Sequence, residues 1–161
     1  MSKQQITVII TAAVTTLIVI IGFIALMPTI GPRYLHSIMM GEDSLPTGLD
    51  TSTELLTDGG LYQVSWRSDT DNVPLNQIHY WTLHVETADG QPVENATILV
   101  DGGMPQHGHG LPTSPKVTEY LGNGDYRVEG LRFQMTGFWE VKFNINAGGQ
   151  SDSVTFNLTL E

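Results

Sequence analysis

Between Ile6 and Ile30 the chain carries no charged residue. The run Ile6 to Met27, ITVIITAAVTTLIVIIGFIALM, is interrupted only by four threonines, three alanines and one glycine. Its 22 residues would reach about 33 Å as a helix, enough to cross a hydrocarbon core about 30 Å thick. Threonine is tolerated there because its hydroxyl can bond back to a carbonyl one turn earlier. The rival reading is a cleaved signal peptide with Lys3 as its charged region. Against it stand an apolar run longer than the usual 7–15 residues or so and the absence of a clean small-x-small cleavage site. The segment 6–30 is therefore expected to be a transmembrane anchor. Flanking charge is nearly balanced, Lys3 and the amino terminus against Arg33; the favoured orientation puts residues 1–5 in the cytoplasm and the rest outside.

All 17 acidic residues, but only six of the seven Lys and Arg, lie beyond that run, leaving this portion with a net charge near −11. Such a balance argues against nucleic acid as a partner, because a phosphate-binding face needs clustered cations. The chain has no cysteine. That excludes disulfide frameworks, thiolate zinc sites, iron–sulfur clusters and thiolate copper centres together.

Residues 31–54 mix Gly, Pro, Ser, Thr and acidic side chains without a sustained period and read as a tether. His36, Met39 and Met40 there could be soft metal ligands or simply a membrane-interface segment. Residues 55–161 change to a period of two. Strands are predicted over Leu61–Trp66, Ile78–Glu86, Ala96–Asp101, Val117–Leu121, Asp125–Phe133, Phe138–Ile145 and Ser153–Leu160. Asp89-Gly90, Gly102-Gly103, Asn123-Gly124, Thr136-Gly137 and Gly148-Gly149 supply turn chemistry between them. Trp139, Val141, Phe143 and Ile145 make the clearest inward row. The pattern predicts an all-β domain, an immunoglobulin-like antiparallel β-sandwich, behind the membrane helix.

One stretch departs from this plain grammar: Asp101-Gly-Gly-Met104-Pro-Gln-His107-Gly-His109-Gly-Leu-Pro112-Thr-Ser-Pro115. Prolines stiffen it and glycines let it fold sharply, so several side chains can be aimed at one spot. Thioether and imidazole together, without cysteine or a carboxylate cluster, suit copper and above all Cu(I). His79, at the start of its strand, and Met135, just before the Thr136-Gly137 turn, are placed to complete such a site. Two other readings stay open. The histidines can cap carbonyls while Met104 and Met135 fill the end of the core, or the loop can hold zinc or another metal. His84 reads as an ordinary surface histidine, and Trp66, Trp81 and Trp139 as core.

The run MPQHGHGLPTSPKV, the LGNGDYRVEGLRFQMTGFWEVKFNI that follows it and the NQIHYWTLHVETADGQPVENATILVDGG before it resemble the FixH/YtkA-like family of bacterial membrane-anchored or exported domains, over Leu61 to Ile145. The resemblance implies an immunoglobulin-like fold outside the cytoplasmic membrane, in the periplasm or its equivalent. It also implies a link to copper supply or to assembly of a heme-copper oxidase. By position, its characteristic residues would be Met104, His107, His109 and Met135, with His79 in a His-x-Trp element.

Two functions follow as expectations. One is a copper-binding accessory protein that holds copper or passes it to a copper-receiving protein. The other is a metal-free interaction subunit docked on a membrane-protein complex. An enzyme is not expected, since neither Ser-x-x-Lys nor Gly-x-Ser-x-Gly occurs.

Overall fold

The structure is a computed structural model that describes residues 48–161. The expected anchor at 6–30, and the tether as far as residue 47, lie outside the described residues. Among the described residues no helix is long and apolar enough to cross a membrane.

Among the described residues, nine strands form two antiparallel sheets. In chain order they are β1 (Glu54–Leu56), β2 (Tyr62–Ser68), β3 (His79–Thr87), β4 (Thr97–Met104) and β5 (His109–Gly110). β6 (Lys116–Gly122), β7 (Asp125–Leu131), β8 (Gly137–Ala147) and β9 (Gln150–Leu160) complete the set. One sheet runs β1-β2-β3-β7-β6 and the other β5-β4-β8-β9. The seven predicted strands are all present. The two additional ones are short: β1 starts at the predicted end of the tether, and β5 is carved out of the Pro/Gly loop.

Alternation explains the two layers. On β8, Trp139, Val141, Phe143 and Ile145 are fully buried, and on β3 His79, Trp81, Leu83 and Val85 form the matching inner row. Rings join the sheets: Trp66 on β2 meets Phe156 on β9 edge-on with centroids 6.4 Å apart, and Phe133 meets Trp139 at 5.2 Å. Trp66 also stacks flat on Trp81 at 3.9 Å. Burying this much apolar and aromatic surface on one face of each sheet is what holds such a sandwich together.

Hairpin chemistry behaves as predicted at Asn123-Gly124 and Gly148-Gly149, where both residues of each pair have positive φ, as a tight two-residue hairpin turn requires. Gly102-Gly103 does not. The sequence reading makes it a turn, yet both residues continue β4. A Cβ on Gly102 would lie 2.5 Å from the Glu140 carbonyl oxygen on β8, and one on Gly103 would lie 2.5 Å from the His109 carbonyl oxygen on β5. The pair is there to let neighbouring backbone approach, and that approach allows the loop to fold back on β4.

Candidate metal site

β4 ends at Met104, which is 1% exposed. Pro105 then opens a single 3-10 turn, Pro105–His107, closed by Gly108 in the left-handed conformation at φ 67°. The Gly108 N–H donates to the Met104 carbonyl at 3.0 Å. The chain turns back as β5, with His109 directly opposite Met104, and the Leu111 N–H donates to the Gly102 carbonyl at 3.0 Å. Proline, glycine and the close-approach pair thus convert a stretch of loop into a built corner.

That corner exposes His107 and His109. Their rings lie with centroids 5.8 Å apart and planes inclined by 25°. A metal held by an imidazole nitrogen at about 2.0–2.1 Å sits about 3 Å from the ring centroid, so two rings on one ion have centroids about 5–6 Å apart. The observed centroid spacing falls in that range. His109 Nδ1 lies 3.3 Å from the Gly110 carbonyl oxygen. In the tautomer that donates there, Nε2 carries the lone pair, the arrangement in which a second-shell carbonyl orients a ligating histidine.

Trp139 lies against His109. Its ring meets that of His109 at 6.1 Å and 65°, and its Nε1–H donates to the backbone carbonyl of Met135 at 3.1 Å. Met135 is 41% exposed. Met104 approaches the same turn from inside, its Cε 3.1 Å from where a Cβ on Gly137 would stand. The loop and the 135–137 turn therefore meet around one indole. A cleft of about 310 Å³ opens beside the corner, lined by Met104, Pro105, His109, Asp101, Glu140 and Lys142 among others.

His79 stands apart from this group. It is 4% exposed, with Nδ1 3.2 Å from the Gln77 carbonyl oxygen and a buried Nε2 that has no hydrogen-bond partner. Its ring neighbours are Phe133 at 5.6 Å and Trp81 at 6.3 Å. Phe133 in turn meets Trp139, so the ring contacts leading from His79 to His109 run through two aromatic side chains.

The chemistry of the donor set is narrow. No group of three or more His, Cys, Asp or Glu that could hold a metal occurs among the described residues. Beside the two imidazoles the corner offers thioether sulfur at Met104 and the Asp101 and Glu140 carboxylates that line the same cleft, and a soft ion would favour the thioether. His84 has another role than the plain surface one read from sequence. Its Nδ1 lies 2.7 Å from Asp125, which also pairs with Arg67 at 3.5 Å, and its Nε2 lies 3.5 Å from Glu86.

Residues 68–144 match the model of the YtkA-like family. This stretch is similar to the YtkA-like family. The matched segment runs from the last residue of β2 into β8 and contains every residue of the corner, with His79. No curated protein matches the chain. Among solved structures, a DUF4426 family protein from Pseudomonas aeruginosa PAO1 is similar at 14% identity and a TM-score of 0.46, covering 67% of this chain and 94% of that one. The ZirS C-terminal domain is similar at 15% identity and a TM-score of 0.37, covering 76% and 88%.

Proposed function

We propose that the protein is a membrane-anchored accessory protein that holds or delivers one copper ion, as Cu(I), on the outer side of a bacterial cytoplasmic membrane. Its immunoglobulin-like domain serves as a carrier rather than an enzyme, and its partner is a copper-receiving protein, with a heme-copper oxidase under assembly as the leading candidate. The observation that supports this reading is the corner itself: two imidazoles with centroids 5.8 Å apart, with Met104 opposite His109 in register and the Met135 backbone tied to the indole that touches His109. His107, His109, Met104 and Met135 would hold the ion. Thioethers and imidazoles stabilise the reduced, soft form.

Competition titration of the full chain in detergent micelles with a chromophoric Cu(I) chelator tests it. One equivalent of Cu(I) should bind, Zn(II) should bind far more weakly, and His107→Ala with His109→Ala should cost at least about tenfold in affinity. No Cu(I) uptake, or unchanged uptake by the double variant, would leave the metal-free interaction subunit as the better account.

A further inference from the structure

Trp66, Trp81 and Trp139 all contribute to the core, but their indole N–H groups are used differently. Nε1 of Trp66 and of Trp81 is buried without a hydrogen-bond partner, whereas Nε1 of Trp139 donates to the Met135 carbonyl. A buried N–H with a partner is worth having, and its loss leaves the carbonyl as well as the donor to be resolvated. The bond spans four residues and closes the turn on which Met135 is displayed. The opposite contact of the same side chain is with the ring of His109, on a segment 30 residues away in sequence from Trp139. Trp139 is fully buried and wedged by Phe133, so it cannot shift to follow one segment without disturbing the other.

We propose that Trp139 is the positioning residue of the copper corner: its N–H holds the Met135 turn at the distance at which the Met135 thioether and His109 serve the same ion. This inference rests on the copper reading above. It adds that the exposed thioether belongs to the site only while the indole N–H is in place, so that the affinity contributed by Met135 is conditional on Trp139. The soft-ion selectivity of the corner then depends on a residue that touches no metal.

The experiment is a double-mutant cycle on the full chain in micelles, with Cu(I) affinity read by chelator competition. Trp139→Phe keeps a ring against His109 and Phe133 but lacks the N–H. Trp139→Phe and Met135→Ala should each lower Cu(I) affinity about tenfold, and the double variant should be no weaker than either single one. Losses that multiply, or a Met135→Ala variant without effect, overturn the proposal. A second readout needs no variant to fold. Of three indole N–H cross-peaks in the nitrogen-labelled wild type, that of Trp139 should shift with Cu(I) and saturate at one equivalent, while those of Trp66 and Trp81 stay put. An unmoved Trp139 signal under saturating Cu(I) also overturns it. Failure of the wild type to bind Cu(I) removes both the copper reading and this one; binding with an additive cycle removes the role of Trp139 alone.

Discussion

The terminal methyl of Met104 lies 3.1 Å from the position a Cβ on Gly137 would take, and Gly137 has φ +114°. Two constraints therefore meet at one glycine. Any side chain there crowds the buried thioether of Met104, and the backbone conformation itself disfavours an L residue. Gly137→Ala should destabilise the domain by about 1–3 kcal/mol, the range for a strained backbone position, and should push Met104 away from the 135–137 turn. Chemical denaturation checks the first effect and the methyl resonance of Met104 the second. A variant as stable as wild type would show that the turn relaxes freely.

Acid stability should depend on Asp152. Its carboxylate accepts from the backbone N–H groups of Gly59 at 2.9 Å, Leu61 at 3.2 Å and Ser153 at 2.8 Å. Hydrogen bonding from Thr57, followed by these backbone donors, lowers its pKa from 3.8 to about 2. A carboxylate whose folded pKa lies below its unfolded one stabilises fully above the unfolded value. That contribution fades as pH falls from about 4 through about 2. The melting temperature of wild type should therefore drop across this window, and Asp152→Asn should start lower at pH 6 and flatten the acid limb. Parallel acid limbs for the two proteins would contradict the assignment.

The alkaline limb has a different source. Tyr126 is 2% exposed; its hydroxyl donates to the Val93 carbonyl at 2.6 Å and accepts from the Ala96 N–H at 3.1 Å. Burial raises its pKa above the ordinary tyrosine value, opposed by the Ala96 hydrogen bond. A phenol with a raised folded pKa stabilises below its unfolded value and loses that contribution as pH rises through the folded one. Ultraviolet titration should show one of the tyrosines ionising late. Tyr126→Phe should cost about 1–3 kcal/mol, because Val93 and Ala96 would be left with buried unpaired groups.

Much of this architecture is visible in the bare chain, and the exceptions have physical reasons. Period two on β8 marks Trp139, Val141, Phe143 and Ile145 as an inner row, and all four are 0% exposed. Gly102-Gly103 misleads because a glycine pair signals equally a turn or a close backbone approach, and only the register of β4 against β8 and β5 decides between them. His107 and His109 announce themselves through their spacing in a Pro/Gly-braced loop. Met135 could be assigned to a turn but not to this corner, because strand order is not written in local patterning. His79 joins the set by its place at a strand end; that position says nothing of Phe133, which packs against its ring. Trp139 reads from sequence as core alone. Its second role depends on a carbonyl four residues earlier across the Thr136-Gly137 turn, and aromatic residues followed back to such a turn are the only signal that could have raised it.

Met104 is where the structural and metal-binding accounts of the corner make different predictions. Its side chain is 1% exposed and packed in the core, so Met104→Ala should cost about 2–5 kcal/mol whether or not copper ever binds. That variant cannot separate the accounts. Met104→Leu can: it preserves volume and apolar character, and such swaps usually cost less than about 1.5 kcal/mol. Leucine has no sulfur. If the thioether is a donor to Cu(I), the Met104→Leu protein should melt within a few degrees of wild type yet bind Cu(I) about tenfold more weakly, with His107 and His109 still holding the ion. If Met104 only fills the end of the core, stability and affinity should both stay near wild type. Chelator competition beside a thermal melt on the same preparation reads both quantities, and a wild-type affinity in a well-folded Met104→Leu protein would confine the site to the two histidines and Met135.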